Sequence, residues 1–375
     1  MSPKAKRPAA KKGADIPEEL KGQLREVETC YGTSCNMCER DCPVYRVRRN
    51  RTLTSRGKNR ALLGALRGEY SFDDEYAKAV FSCTLCGLCD ARCALANTER
   101  FQSIRKALNK RGFKKPDQDK TVDTIKATGD VYGRAIDMAE VFKEYANGDT
   151  PVYIGCTYKG YENEAREALK VLELFGVKPR IGKEICCGNV VALMGYDADF
   201  DQIKEAFGKV WPHKEFLTLC PSCAHVFNKY YGLKAKHVIE YVAENLDKVR
   251  GKIKPLTMKA TYHDPCDLGR RLKVFDQPRK VLRAIGVELV EMELNREFSH
   301  CCGAGGGLLV YDKDLAEEIG KARMKMAAKT GAETLVTACP TCETQLTTTA
   351  MLARKETGKR VKVVSIWSLL LKALS

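Results

Sequence analysis

Several things are missing from this chain, and each absence narrows what it does. No apolar run reaches the roughly 18 residues that a membrane-crossing helix needs. The longest stretch, Val363–Leu374, is interrupted by Ser365, Ser368 and Lys372 and fits a terminal helix instead. The basic start, Met1–Lys12, lacks the apolar segment of a secretory signal, so a cytoplasmic location without a direct membrane span is expected. Dinucleotide binding has no fingerprint here: Gly303-Ala304-Gly305 follows two cysteines and Leu308 stands where a third spaced glycine is required. No flavin, nicotinamide or haem site is visible. No nucleic-acid reader motif accompanies the formal charge of +16, and no nucleic-acid partner is expected.

What the chain has is cysteine: 18 in 375 residues, none outside a motif. One kind of motif is Cys30-x4-Cys35-x2-Cys38-x3-Cys42-Pro43 and Cys83-x2-Cys86-x2-Cys89-x3-Cys93. The other is a single cysteine, a Cys-Cys-Gly and a Cys-Pro-x-Cys. It occurs as Cys156, Cys186-Cys187 and Cys220/Cys223, and again as Cys266, Cys301-Cys302 and Cys339/Cys342.

A disulfide framework suits neither a reducing compartment nor such short spacings. Zinc pairs two Cys-x2-Cys elements, whereas three cysteines spaced by two wrap a cubane and send a fourth thiolate to the neighbouring cluster. Cys42 is therefore grouped with Cys83, Cys86 and Cys89, and Cys93 with Cys30, Cys35 and Cys38. Cys30 departs from the pattern, since Gly32 holds the usual position, and its loss would leave a three-iron cluster. In the second kind of motif, five thiolates per half exceed the four that one zinc or one cubane uses. Such a set points to a larger or unusual iron–sulfur assembly, which the nearby glycines allow the backbone to approach.

Ligating thiolates are negative, so the run of Arg46, Arg48, Arg49, Arg51, Arg56, Lys58 and Arg60 after the first motif reads as charge compensation, an acidic partner's landing site, or a solvated face.

The fold class expected is α+β. Residues 1–17 form a disordered basic tail, 18–125 an α-helical two-cluster ferredoxin-like domain, and 126–149 a linker helix placed at Tyr132–Ala146 after a charged linker. Residues 150–252 and 253–375 form two pseudo-symmetric α/β cysteine-rich domains. Their repeat is legible: Val152–Ile154 before Cys156 matches Lys259–Tyr262 before Cys266. Leu217–Leu219 before Cys220 matches Leu335–Ala338 before Cys339, and each cysteine falls at a strand's C-terminal end.

Gly155-Cys156-Thr157 with Glu162-Asn163-Glu164, Tyr262-His263-Asp264-Pro265-Cys266, and His300-Cys301-Cys302-Gly303 carry a family resemblance. Over residues 25–375 the chain resembles the D subunit of heterodisulfide reductase, a two-cubane module fused to a catalytic Cys-Cys-Gly module. The resemblance implies two cubane [4Fe-4S] clusters and two noncubane [4Fe-4S] clusters that split a disulfide of coenzymes M and B, one electron to each sulfur. It also implies partner subunits, a flavoprotein or a membrane cytochrome b-type protein. Other members only carry electrons, in glycolate and D-lactate oxidases or in class II benzoyl-CoA reductase complexes. His263 and His300 stand beside cluster ligands, as proton donors to a departing thiolate or as hydrogen-bond donors to cluster sulfur. His213, His225 and His237 have no such setting and read as structural.

Overall fold

The computed structural model describes residues 18–69 and 71–375. The expected basic tail, 1–17, lies outside the described residues.

The N-terminal module is a packing of short helices whose starts are set by side-chain caps. The Thr54 hydroxyl accepts from Gly57 N (3.0 Å) to begin Ser55–Leu66, and the Asp73 carboxylate accepts from Tyr76 N (2.7 Å) to begin Asp74–Phe81. With Asn97–Lys110 these helices bury Leu62, Val80, Phe81, Phe101 and Ile104, each burial contributing about 1.5–3 kcal/mol.

Two expectations fail in the next stretch. The charged linker after Lys114 is a helix, Pro116–Thr128, with proline in its first turn and Gly129 (φ +68°) ending it; its Val122 and Ile125 are buried. The linker helix placed at Tyr132–Ala146 does not form. Tyr132 N donates to the buried Asp130 carboxylate (2.6 Å) and Gly133 sits at φ +71°, so the backbone turns there. Only one turn, Met138–Val141, and a 3-10 turn, Lys143–Tyr145, follow.

Each cysteine-rich half is a four-stranded parallel sheet. In the first half the strands are β1 (Thr150–Tyr153), β2 (Pro179–Arg180), β3 (Glu215–Thr218) and β4 (Lys234–His237), in the order β2-β1-β3-β4. In the second they are β5 (Met258–Tyr262), β6 (Val287–Leu289), β7 (Thr334–Thr337) and β8 (Lys362–Ser365), in the order β6-β5-β7-β8. The sequence pattern indicated two strands per half; the edge strands are short, β4 is lysine-rich, and Val363–Ser365, expected to open the terminal helix, belongs to β8 instead.

The halves are not independent. The last helix of the second, Ile366–Leu374, packs on the first helix of the other, Glu162–Leu174, and reciprocally Val238–Glu244 packs on Asp276–Ala284. One apolar core spans both halves, and within it Trp367 Nε1 donates to the Tyr158 hydroxyl (3.3 Å).

The N-terminal module is clamped to both halves by arginines, Arg105 fully buried and Arg271 partly so. Arg105 donates to the carbonyls of Val80 (3.0 Å), Phe81 (3.1 Å), Leu193 (2.9 Å) and Gly306. Arg271 donates to Leu85 O (2.8 Å). Among the described residues no helix is long and apolar enough to cross a membrane.

Candidate iron–sulfur centres

In both halves the lone cysteine follows the first strand and the Cys-Pro-x-Cys follows the third, so parallel topology delivers three thiols to one sheet end. The Cys-Cys-Gly loop supplies the other two. Its geometry repeats: Gly188 N donates to Cys186 Sγ (3.5 Å) and Gly303 N to Cys301 Sγ (3.3 Å). Cys223 Sγ lies 3.3 Å from Cys187 Sγ, and Cys342 Sγ 3.4 Å from Cys302 Sγ. Cys156 and Cys186 stand 4.0 Å apart. Both glycines need their left-handed backbone (φ +75° and +102°), and a Cβ on Gly303 would press on Ala316 O at 2.2 Å.

The two sets face one cavity of about 250 Å³, lined by all five cysteines of the first half and by Cys266, Cys302, Cys339 and Cys342 of the second. The inner cysteine of each pair is the more acidic. Hydrogen bonds from Cys186 and Cys223 hold Cys187 down at about 6, and those from Cys301 and Cys342 hold Cys302 well below the ordinary thiol value.

Cys301 is the cysteine that does not line the cavity. It hydrogen-bonds to Cys266 and Cys302 and also to Cys86 of the N-terminal module. Cys86 is correspondingly lowered to about 5, first by that bond from Cys301 and, against burial, by Arg270.

Cys86 also lines a smaller cavity, about 30 Å³, together with Cys38, Cys42, Cys83, Cys89 and Lys58. Burial pushes Cys42 up to about 11, opposed by Lys58. Burial, with the nearby Cys30 and Cys35 adding to it, raises Cys38; Cys38 Sγ accepts from Arg56 N (3.3 Å) and Cys30 Sγ from Asn59 Nδ2 (3.5 Å). Cys35 and Cys93 are exposed.

Neither histidine faces the large cavity. His263 is fully buried and held neutral by burial; its Nδ1 accepts from Arg323 Nε (3.1 Å), which leaves Nε2 to carry the proton. A ring nitrogen of His263 lies within 4.8 Å of the Cys302 and Cys342 sulfurs. Burial lowers His300 to about 2, with Arg323, Arg46 and Arg270 adding to the effect. Both imidazoles are neutral, placed to donate a hydrogen bond rather than to act as cationic acids. His213 is partly exposed beside Arg180, and His237 caps a helix. His225 lies near Asp267, Arg271 and Lys229, and burial lowers it to about 4.

Sequence reasoning missed the residues that join the halves. Ser222 donates to Asp267 and Thr157 meets Thr341 (3.4 Å), each pair crossing from one half to the other above the cavity. Their signal was positional: Ser222 and Thr341 sit between the cysteines of Cys-Pro-x-Cys, and Thr157 and Asp267 directly follow the lone cysteines. It also missed Arg270, whose Nε donates to Cys86 O (2.6 Å) and Nη1 to Ser299 O (2.7 Å), while Nη2 is buried without a hydrogen-bond partner.

Converging thiols, with Cys86, Cys187, Cys220 and Cys302 held below the ordinary thiol value, and buried cations beside them fit iron–sulfur clusters, whose charge those cations offset. The class defined is an iron–sulfur electron-transfer protein of the redox enzymes.

Comparison with known proteins gives the family. The cysteine-rich domain model matches residues 151–228 and 260–347, and the 4Fe-4S dicluster domain model matches residues 26–96. The D subunit of the dihydromethanophenazine:CoB–CoM heterodisulfide reductase of Methanosarcina barkeri is 30% identical over 86% of this chain and 89% of its own. The B subunit of the fumarate reductase (CoM/CoB) of Methanothermobacter marburgensis is 33% identical over 51% of this chain and 39% of its own. The EtfAB:quinone oxidoreductase of Syntrophomonas wolfei is 31% identical over 60% of this chain and 34% of its own. The chain belongs to the family of cysteine-rich iron–sulfur proteins typified by the D subunit of heterodisulfide reductase.

Proposed function

We propose that this protein reduces a disulfide, of the coenzyme M–coenzyme B type or a related sulfur compound, in the cavity between its halves. The observation that carries this reading is that nine of the ten cysteines of the two five-cysteine sets line one cavity of about 250 Å³, all but Cys301. Breaking an S–S bond consumes two electrons and two protons and yields two thiols.

Cys30, Cys35, Cys38 and Cys93 would hold one cubane, Cys42, Cys83, Cys86 and Cys89 a second, and each five-cysteine set a noncubane [4Fe-4S] cluster. Such clusters supply one-electron chemistry when bound. The chain's own residues do the rest. Cys86 against Cys301 brings the N-terminal module into contact with the second half. Arg270 holds that contact and offsets charge there. Ser222 with Asp267, and Thr157 with Thr341, fix the spacing of the two sets. His263 Nε2, buried without a hydrogen-bond partner near the Cys302 and Cys342 sulfurs, would donate to cluster sulfur, with Arg323 fixing its tautomer.

Partner subunits, a flavoprotein or a cytochrome b-type protein, would supply the electrons. The test is disulfide-dependent oxidation of reduced viologen by reconstituted protein. Turnover that Cys302→Ala abolishes supports the reading; absence of turnover with every disulfide offered refutes it.

A second reading is favoured by the likeness to the EtfAB:quinone oxidoreductase. There the same cysteine sets would pass electrons from a flavoprotein onward without disulfide chemistry. Clusters reduced only by a co-purifying flavoprotein's substrate, with no disulfide turnover, would select it.

A further inference from the structure

Of the 18 cysteines, only Cys35 and Cys93 are exposed. The series of thiols that runs inward through Cys86 and Cys301 therefore reaches the surface at one place, the site grouped around Cys30, Cys35 and Cys38. That place is also unusual in its apolar surface. Among the described residues seven large hydrophobic side chains are exposed, and three of them, Leu24 (36%), Tyr31 (45%) and Met37 (50%), lie on the two helices that carry this motif.

The surroundings are strongly basic. Between Lys21 and Arg67 there are eleven basic and four acidic residues, so this eighth of the chain holds a large part of the formal +16. Arg25, Arg40, Arg49, Arg51 and Arg60 are exposed. The acids are partly spent within the module: Asp41 is buried with Arg92 (2.7 Å), and Glu39 pairs with Arg51 (3.1 Å). Arg60 lies over the Tyr31 ring (5.7 Å), so the apolar and basic parts form one patch. Arg56, in the same patch, is turned inward and donates to Cys35 O (2.9 Å) and Cys30 O (3.2 Å), which stiffens the loop carrying the exposed thiol.

We infer that this face is the docking surface for an acidic redox protein, with Leu24, Tyr31 and Met37 as the apolar centre and the arginines as the rim. An apolar centre within a ring of one charge sign is the anatomy of a transient protein interface. The ring steers an oppositely charged partner and sets the encounter rate more than the affinity. One electron leaves the partner's reduced centre and is taken up at the site held by Cys30, Cys35 and Cys38, so the partner is oxidised by one equivalent as the site is reduced by one. The inference rests on the electron-transfer role of the chain and not on disulfide chemistry. It therefore survives if no disulfide is turned over.

The experiment follows cluster bleaching by stopped flow in the full-length reconstituted protein, with a reduced acidic plant-type ferredoxin as probe and dithionite as a small-molecule control. With ferredoxin the second-order rate should fall about tenfold from low to roughly 0.3 M salt, as Debye screening shortens. It should fall by a similar factor in the double variant Arg25→Glu/Arg60→Glu, neither residue being within two positions of a proposed ligand. Leu24→Gln should slow it less and leave its salt dependence intact. Dithionite reduction, iron content and the reduced EPR spectrum should stay unchanged in each variant. A ferredoxin rate that is indifferent to salt, or that rises in the charge-reversal variant, overturns the inference. So does a concentration-dependent dimer that Leu24→Gln abolishes, which would assign the patch to a second copy. Should the charge-reversal protein fail to take up iron, the salt dependence of the wild type decides alone.

Discussion

The two cysteine-rich halves share a sheet order, a thiol arrangement and glycine positions, yet they differ at the points that face outward from the repeat. From Cys156 to Gly176 and from Cys266 to Gly286 the spacing is equal, so the two segments compare residue by residue. Gly160 stands opposite Arg270, Thr157 opposite Asp267, and Tyr153 opposite His263. In the first half Cys186 N donates to Gly129 O (2.7 Å) and the Tyr153 hydroxyl to Ile185 O (2.6 Å), while Arg134 donates to Cys156 O (2.9 Å) and the buried Glu184 carboxylate accepts from Gly155 N (2.9 Å). In the second half the corresponding space holds Cys86, Arg270, Arg323 and His263, all buried. A duplicated frame thus carries an unduplicated connection, and only the second half touches the N-terminal module through a cysteine. Repetition sets where thiols can converge, while the charged groups beside the two sites differ.

The largest effect should come from removing Cys301, the thiol that faces the N-terminal module instead of the cavity. Cys301→Ala should lower disulfide-dependent viologen oxidation by at least about 100-fold, the upper range for disturbing a metal site's surroundings. The EPR signals of the N-terminal clusters should persist. Equal residual turnover in Cys301→Ala and Cys186→Ala would show that the asymmetry has no functional weight.

Next is the exchange of terminal helices. Trp367→Ala should cost about 3–5 kcal/mol, as truncation of a fully buried aromatic does. Because the indole meets Tyr158 of the other half, chemical unfolding monitored by fluorescence and by cluster absorbance should stay a single shifted transition. Two separated transitions would mean that the halves fold independently.

A third difference is the cap of each final helix: His237 in the first half and Ser365 in the second, each accepting from the amide two residues on (3.2 Å and 3.3 Å). Burial lowers His237 to about 4 from an ordinary value near 6.5. The neutral form is therefore the folded one, and its stabilisation is complete above pH 6.5 and is lost as pH falls toward 4. The loss approaches about 3 kcal/mol across that window at most. His237→Ser should flatten this acid limb in urea titrations between pH 7 and 4.5, and an unchanged slope would place the titrating group elsewhere.

The smallest effect concerns Arg270. Arg270→Gln removes a buried positive charge beside Cys86, Cys266 and Cys301. In an EPR-monitored redox titration the second half's centre and the adjoining cubane should become harder to reduce by about tenfold in reduced-to-oxidised ratio, ~59 mV for one electron. The first half's centre should not move, and Arg270→Lys should recover part of the shift. A uniform shift of all centres would indicate general loosening instead.

Much of the centre was legible from spacing alone, because Cys-x2-Cys-x2-Cys and Cys-Cys-Gly have few chemical uses and the repeat fixed the strand ends. The two central strands of each half stood out as Val-, Leu- and Thr-rich runs before cysteines. The strands Pro179–Arg180 and Lys234–His237 did not, since a short or lysine-rich edge strand has no periodic signature. The helix expected at Tyr132–Ala146 failed because apolar spacing does not register a buried Asp130 that captures the backbone amide of Tyr132. Arg105, Arg270 and Arg323 read as ordinary surface arginines; their burial comes from elements between about 25 and 200 residues away in the chain.

By itself the sequence determined the chemistry, 18 thiols in two kinds of motif, together with the duplicated frame that gathers ten of them. Ligand type and local spacing are properties of the chain, and no partner is needed to specify them. Only the tertiary structure decided that nine of these ten thiols line one cavity, that Cys301 turns away from it to meet Cys86, and that Arg105 and Arg270 are buried where the module and the halves join. Those facts depend on which distant surfaces pack together. Packing is set by the summed burial and hydrogen bonding of the whole chain, which no local pattern encodes.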